Sequence, residues 1–193
     1  MNGNNWMLKR FFDILISGAL LFILSPLFFL CAILVRLSST GPVFHVSKRV
    51  GRWNNFFLMP KFRSMHVSAP QVASHLIQDP DTHLTPVGRF LRRTSLDELP
   101  QLWSVLVGDM SLVGPRPALF NQDDLVFERT KLGIHSLRPG ITGWAQINGR
   151  DEIPLERKVD LDHQYLRSST FLFDLKILLL TLWKISQSEG VSH

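Results

Sequence analysis

The feature that most constrains the fold is an uncharged apolar stretch near the start of the chain. Residues 14–35 contain no acidic or basic side chain. As one helix, this stretch would extend roughly 33 Å, close to the hydrocarbon thickness of a bilayer. We therefore predict a membrane segment. A cleavable signal peptide is the weaker alternative, because no small-x-small cleavage site follows and Arg36 leads into further motifs.

Positive charges on both sides of this stretch do not fit a simple crossing. Lys9 and Arg10 precede it and Arg36 follows it, so the positive-inside rule would keep both ends in the cytoplasm. Ser25 and Pro26 lie in the middle, where proline removes a helix hydrogen bond and serine can bond a freed carbonyl. Two interpretations follow from these residues: a re-entrant helix-break-helix hairpin or a kinked single span.

Size and charge limit the rest of the chain. With 193 residues, of which 45% are hydrophobic and 19% charged, the chain is long enough for one compact core and too short for two. A net charge of +5 suggests an anionic partner such as nucleic acid, an acidic membrane or a phosphorylated substrate. The basic residues form no recognisable nucleic-acid module, and the apolar stretch argues against one. The single cysteine, Cys31, excludes an intramolecular disulfide.

The remaining residues predict an α+β fold that is mostly helical. Residues 40–65 alternate short apolar pieces with turn residues, which is typical of strands, and residues 67–85 form a polar loop before a short helix at 87–91. Residues 138–140 and 148–149 indicate turns. Residues 155–166 predict a charged surface helix. Residues 171–185 predict an amphipathic helix that lies either at a membrane interface or over the core.

An acidic pair follows two arginines in the middle of the chain. From Ser95 onward leucines recur at helical spacing, so Ser95 and Glu98 fit a capping box, and Asp97 would oppose the helix dipole. In the functional interpretation, Asp97 lies near a helix N-terminus that can bind phosphate oxygens, with Arg92 and Arg93 offsetting their charge. A carboxylate that attacks phosphorus needs such neutralisation, since both reactants are anions.

Two further segments could bind phosphate. In Gly114-Pro115-Arg116-Pro117, the prolines would hold one guanidinium in a stiff segment. Lys61 and Arg63 lie among apolar residues in an extended segment and could contact phosphates or merely the anionic bilayer. No Walker P-loop, dinucleotide glycine motif, zinc-type cysteine pair or His-Glu-x-x-His motif occurs in the sequence.

Several ordered motifs together resemble the bacterial sugar transferase family, in particular its small monotopic, PglC-type members. The resemblance spans nearly the whole chain and rests on Lys9-Arg10-Phe11-Phe12-Asp13, Ser25-Pro26, Gly41-Pro42-Val43-Phe44, Lys61-Phe62-Arg63-Ser64-Met65, the acid motif from Leu96 to Leu102, Gly114-Pro115-Arg116-Pro117 and the segment from Arg138 to Gln146. The ending at residues 188–192 is also similar to the small members.

The resemblance implies a reaction and roles for individual residues. It favours the re-entrant hairpin, broken at Ser25-Pro26, and a small globular part with interfacial helices on the cytoplasmic face of the bacterial inner membrane. It implies that Asp97 attacks the sugar-bearing phosphate of a UDP-sugar, that UMP leaves, and that undecaprenyl phosphate takes the group. Glu98 completes the pair, and both acids are candidate ligands for Mg²⁺. Arg92, Arg116, Lys61 and Arg63 are the expected phosphate contacts, with Arg93 a weaker candidate.

These expectations divide the chain into a membrane anchor at residues 1–38 and one catalytic domain at residues 39–193. Two other functions stay open: an inverting glycosyltransferase, which would release UDP, and a membrane-bound scaffold that would not need Asp97 or Glu98. An N-acetylated or diacetamido UDP-sugar is the favoured donor. The sequence leaves the pathway and the oligomeric state open, with a homodimer as one option.

Overall fold

The computed structural model describes residues 3–69, 80–149 and 153–186. Most of the loop predicted at residues 67–85, and the ending at residues 188–192, lie outside the described residues. Within them the chain is mostly helical with two small sheets, which confirms the predicted α+β class.

The described ranges contain eight α-helices and four strands, besides short 3-10 turns. In chain order they are α1 (Gly3–Ile23), α2 (Ser25–Ser38), β1 (Phe44–Val50), β2 (Phe56–Phe62), α3 (Pro86–Arg93), α4 (Gln101–Val107), β3 (Ser111–Val113), α5 (Asp123–Lys131), β4 (Gly140–Thr142), the single turn α6 (Trp144–Ile147), α7 (Leu155–Ser168) and α8 (Phe171–Ser186). The predicted strands at 40–65 and the predicted helices at 87–91, 155–166 and 171–185 are thus confirmed.

The predicted break in the apolar stretch lies between α1 and α2, which are bent by 63°. Pro26 has no N–H to donate, and the hydroxyl of Ser25 donates to the Phe22 carbonyl at 2.7 Å. No single helix among the described residues is long and apolar enough to cross a bilayer, although the bent pair passes that test of length and composition.

One sheet pairs strands that are close in sequence, and the other pairs strands that are far apart in sequence. β1 and β2 form an antiparallel hairpin in which His45 lies opposite Lys61, and β3 pairs with β4 in parallel. The turn predicted at residues 138–140 is wrong: Gly140 begins β4, and its N–H donates to the Pro115 carbonyl at 2.9 Å. The backbones approach so closely that a Cβ at Gly140 would lie 2.1 Å from the nitrogen of Gly114.

The largest hydrophobic cluster lies between the hairpin, α4 and α8. Met59, Leu102, Val105 and Ile177 are among its buried members. Apolar side chains on the other side of α8, such as Leu182, remain exposed. The helix therefore covers the core with one face and presents a second apolar face, so the two alternatives for residues 171–185 are not exclusive.

Polar side chains of α1 attach this helix to the rest of the molecule. Lys9 forms an ion pair with Asp174 of α8 at 2.5 Å. Arg10 donates to two carbonyls at the C-terminal end of α4, at 2.6 and 2.8 Å, where cations are favourable. Asp13 accepts the N–H of Leu112 at 3.1 Å. The division of the chain after residue 38 stays a prediction.

Candidate active site

The acidic pair lies in a tight turn before α4. Leu96–Glu98 form a 3-10 turn, preceded by Ser95 with a left-handed φ of 56°. The Ser95 side chain makes no capping hydrogen bond, so the predicted capping box is wrong. The predicted helix start near Ser95 is also wrong, because α4 begins at Gln101. A regular α-helix that starts at Ser95 would need an N–H at residue 100 to bond the Leu96 carbonyl, and Pro100 has none, so the N–H of Leu99 bonds this carbonyl in a 3-10 turn instead.

Glu98 lies between two cations from distant parts of the chain. Lys61 of β2 donates to its Oε1 at 2.8 Å, and Arg116 donates to the same oxygen at 3.3 Å. Burial opposes ionisation of Glu98, but the two cations outweigh burial and hold the pKa of this carboxyl at about 2. Glu98 is therefore ionised at neutral pH and organises both cations.

The neighbouring carboxyl, Asp97, has a different environment. Its side chain is buried, and none of the described residues donates a hydrogen bond to it. Burial raises the pKa of Asp97 above its ordinary value, and Glu98 adds to this effect, while Lys61, Arg92 and Arg116 oppose it. Two adjacent carboxyls are thus set apart: one is held by cations, and the other keeps its oxygens available beside the same cations.

Arg92 comes from the end of α3 and contributes charge near Asp97. Its Nε donates to the hydroxyl of Ser64 at 3.0 Å. Thr85, whose N–H donates to the Ser64 carbonyl at 3.0 Å, caps the start of the same helix through its own hydroxyl. These bonds fix Arg92 relative to the end of β2. Arg93 is exposed instead, as expected for adjacent residues about 100° apart on a helix.

Arg63 does not join this cluster. Its guanidinium donates to the carbonyls of Ser39 and Thr40, with 2.9 Å to Ser39, and its side chain is buried there. β2 ends at Phe62, so the alternation that pairs Lys61 with the site does not extend to Arg63. Arg63 therefore closes the connection between α2 and β1 and lies outside the cluster, and its expected phosphate contact stays a prediction.

Sequence reasoning missed the residues that hold Arg116. Arg129 of α5 donates to the Arg116 carbonyl at 2.9 Å, and it forms two bonds to Asp162 of α7, at 2.6 and 3.0 Å. Asp162 is almost fully buried, and burial raises its pKa although Arg129 opposes this.

Sequence reasoning also missed His45, which lies opposite Lys61 in the hairpin. Burial lowers the pKa of His45, and the nearby cations Lys61, Arg49 and Arg92 lower it further. A lone charged residue or histidine has no distinguishing sequence pattern.

Asp97 and Glu98 also bear on metal binding. No group of three or more acidic, histidine or cysteine side chains suited to a metal ion occurs among the described residues. Mg²⁺, however, usually takes one or two carboxylates and completes its shell with water and substrate phosphates. The available oxygens of Asp97 beside Glu98 fit that kind of site and do not fit an all-protein cage.

Comparison with known proteins assigns the family. Residues 4–188 match the sequence profile described as bacterial sugar transferase, a range that contains every residue of the cluster. The chain belongs to this family. The prediction of a sugar transferase enzyme is therefore confirmed.

Named members of the bacterial sugar transferase family are similar over most of this chain. An uncharacterized sugar transferase, EpsL of Bacillus subtilis (strain 168), is 43% identical over 187 residues, which are 97% of this chain and 91% of EpsL. The UDP-glucose:undecaprenyl-phosphate glucose-1-phosphate transferase of Escherichia coli (strain K12) is 42% identical over 95% of this chain. The exopolysaccharide production protein ExoY of Rhizobium meliloti (strain 1021) is 35% identical over 95% of this chain and 88% of ExoY.

Coverage of these relatives differs. The chain spans nearly the full length of EpsL but only 41% of the Escherichia coli protein. The similarity to the Escherichia coli enzyme therefore concerns less than half of that enzyme.

Proposed function

We propose that this protein transfers a sugar 1-phosphate from a UDP-sugar to undecaprenyl phosphate and releases UMP, through a covalent phosphosugar intermediate on Asp97. Relatives whose names state a UDP-sugar or undecaprenyl-phosphate reaction support the substrates. The observation that carries the mechanism is the contrast between the two adjacent carboxyls, Glu98 bound by cations and Asp97 available beside them.

The first step is a displacement at phosphorus. An oxygen of Asp97 attacks the phosphorus that bears the sugar, and the bond from this phosphorus to the bridging oxygen breaks. UMP leaves with that bond's electron pair. Lys61, Arg92 and Arg116 lower the repulsion between the carboxylate and the diphosphate, and they favour the charge that develops on the leaving phosphate.

In the second step, a phosphate oxygen of undecaprenyl phosphate attacks the same phosphorus and releases Asp97 as a carboxylate. No proton has to be removed from an already ionised acceptor. Glu98 stays ionised throughout, because its pKa of about 2 lies far below neutral pH. Its role is to position the two cations rather than to exchange protons.

Mg²⁺ fits this proposal as a cofactor. Asp97 and Glu98 would hold it together with phosphate oxygens of the donor. When bound, the ion supplies Lewis-acid neutralisation of the diphosphate charge. The cations of the protein remain necessary in this proposal, since they would bind the phosphate oxygens that the ion leaves uncoordinated.

The same proposal inserts α1 and α2 into the cytoplasmic face of the inner membrane as a re-entrant hairpin. The side chains next to the bend support it: Phe22 is 82% exposed and Ile23 is 67% exposed, which is costly in water. Exposed Trp103 of α4 and Trp183 of α8 would add interfacial contacts. An enzyme held at this depth meets the phosphate of its lipid acceptor without extracting the lipid.

The decisive experiment is nucleotide release by the detergent-purified protein. Wild type, Asp97→Asn and the matched control Asp160→Asn, whose side chain is exposed on α7, are given a panel of UDP-sugars with Mg²⁺, with and without undecaprenyl phosphate. We expect one donor to give UMP in a lipid-dependent reaction, and at most one UMP per enzyme without lipid. Asp97→Asn should lose at least a hundredfold in rate, while Asp160→Asn should not.

Intact-mass measurement without lipid gives a second readout. Wild type should gain the mass of one sugar phosphate, and Asp97→Asn should gain none. Release of UDP would instead support an inverting glycosyltransferase, and UMP release that does not depend on Asp97 would refute the covalent mechanism. The donor that reacts also identifies the sugar.

A further inference from the structure

Three arginines from distant parts of the chain lie close together beyond the C-terminal end of α4. Arg10 of α1 donates to two carbonyls in the last turn of this helix. Arg138 donates from Nε to the carbonyl of Gly108, directly after α4, at 2.8 Å. Arg52, whose charge acts on Arg138, donates from Nε to the Ser136 carbonyl at 2.8 Å. The group thus lies at the opposite end of α4 from the acidic pair.

These guanidinium groups carry positive charge that no carboxylate neutralises directly. A Cβ at Gly108 would lie 3.2 Å from Nη2 of Arg10 and 3.9 Å from Nη2 of Arg138, so both groups flank one point. Within the described ranges, none of the three arginines forms an ion pair. The carbonyls at the end of a helix carry only partial charges. A net positive charge therefore remains.

The charges repel one another and leave donors available. Burial lowers the pKa of Arg138, and the charges of Arg10 and Arg52 lower it further. Asp13 and Asp109 oppose this effect without outweighing it. The terminal nitrogens of Arg138 and Arg52 make no hydrogen bond to any part of the chain that the structure describes. A phosphate, with several acceptor oxygens, matches such donors and would offset the repulsion.

Exposed apolar side chains at the start of α1 border the three arginines. The indole of Trp6 packs against the Arg138 guanidinium at 5.3 Å and is 40% exposed, and Met7 and Phe11 are exposed beside it. Trp6 lies roughly 25 Å along α1 from Ile23 at the bend, which exceeds half of a bilayer core of about 30 Å. With the bend in lipid, the arginines would therefore reach the headgroup level, where basic and tryptophan side chains are favoured.

We propose that these three arginines, with Trp6 at their edge, bind the phosphate of an anionic phospholipid at the cytoplasmic face of the membrane. The proposal rests on the proposed insertion of α1 into the membrane but not on the transfer reaction. The seven residues of α4 separate this lipid site from the acidic pair by roughly 10 Å. A phosphate bound here is out of reach of Asp97, so the occupant is a phospholipid and not the acceptor that reacts.

Thermal unfolding of the full-length protein in a neutral detergent tests the proposal. Phosphatidylglycerol at about ten times its dissociation constant should raise the melting temperature by about 3–6 °C, whereas zwitterionic phosphatidylcholine should not. Arg138→Gln and Arg52→Gln should each lose about half of this shift, because one basic contact is worth about fivefold in affinity. Each variant is compared with its own lipid-free sample, so a loss of stability alone does not imitate the effect.

Two matched variants separate charge from structure. Arg157→Gln removes the same charge from an exposed site on α7 and should keep the full shift. Arg138→Lys keeps the charge and should retain more of the shift than Arg138→Gln. If Arg138→Gln does not fold, native mass spectrometry of Arg52→Gln replaces it: wild type should retain phosphatidylglycerol in preference to phosphatidylcholine, and this preference should fall about fivefold.

The outcomes distinguish the sources of phosphate and the two proposals. The lipid site is refuted if all variants show the same shift, or if inorganic phosphate or phosphatidylcholine produces it equally. A shift that undecaprenyl phosphate produces and phosphatidylglycerol does not would assign the arginines to the acceptor and also overturn the proposal. None of these measurements uses a UDP-sugar. A wild type that shows the lipid effect but releases no UMP would therefore refute the proposed function and support the lipid site.

Discussion

Removing the charge of Asp162 should destabilise the protein and disturb the active site from a distance. Asp162→Asn leaves the buried guanidinium of Arg129 without its anion, although the carbonyl of Arg116 still accepts one of its bonds. Breaking a buried ion pair in this way costs about 3–5 kcal/mol. For a chain of this size the melting temperature should fall by about 6–20 °C.

A double variant separates stability from positioning. Burial raises the pKa of Asp162 despite Arg129, so the cost of burying the charge exceeds the attraction of the pair. Replacing both partners by apolar residues, Arg129→Met with Asp162→Leu, should therefore restore the melting temperature to within a few degrees of wild type. It cannot restore the bond to the Arg116 carbonyl. We expect kcat at saturating donor to stay reduced about tenfold or more, since small displacements of a positioning group are costly.

Differential scanning fluorimetry in detergent and UMP release measure the two effects on the same samples. The reasoning is refuted if Asp162→Asn melts within 2 °C of wild type, or if the double variant is both stable and fully active. The first result would mean that the buried cation is tolerated alone. The second would mean that Arg129 does not position Arg116.

Two further variants test the site and its support. Lys61→Met removes a cation that lowers the pKa of both Asp97 and Glu98, so the pKa of each should rise. Because Asp97 must be ionised to attack, the acid limb of the kcat profile should move to higher pH by about one unit or more, and an unmoved limb would contradict the assignment to Asp97. Gly88→Ala should destabilise the protein by about 1–3 kcal/mol or more, although alanine favours a helix, because the added Cβ would lie 1.9 Å from the Ser64 carbonyl oxygen; a higher melting temperature would show that α3 can move away freely.

The local elements of the fold follow from the sequence where one segment decides the outcome. The helix break at Ser25-Pro26 depends on chemistry within one turn, and the β1–β2 hairpin on alternation and turn residues. The start of α3 follows similarly from Thr85 and Pro86, a capping residue followed by proline.

Other expectations failed where competing local rules applied. Ser95 and Glu98 have the spacing of a capping box, yet Pro100 shortens the turn that contains them. Gly140 suggested a turn but begins a strand, because its lack of a side chain allows two backbones to approach. In both cases a neighbouring residue or strand overrides the local preference, and the local sequence pattern does not show which of the two effects is stronger.

The candidate site could be predicted in its residue types but not in its arrangement. Asp97, Glu98 and Arg92 are close in sequence, whereas Lys61 and Arg116 reach Glu98 from other elements. Arg129 on α5 and Asp162 on α7 come from two further elements of the chain. The hairpin, the parallel strand pair and α7 must all be in place before these contacts exist, so only the folded structure shows them.

The bonds from Arg10 to the end of α4 hold α1 at a fixed distance from the active site. α4 begins three residues after Glu98, and its far end is held by a side chain of α1. Only Leu99 and Pro100 lie between Glu98 and the first residue of α4, so no long loop separates the acidic pair from α4. If α1 rests in lipid as proposed, the distance from α1 to the acidic pair is fixed by these bonds, so the depth and tilt of α1 in the bilayer would set how far the lipid phosphate must rise to reach the pair.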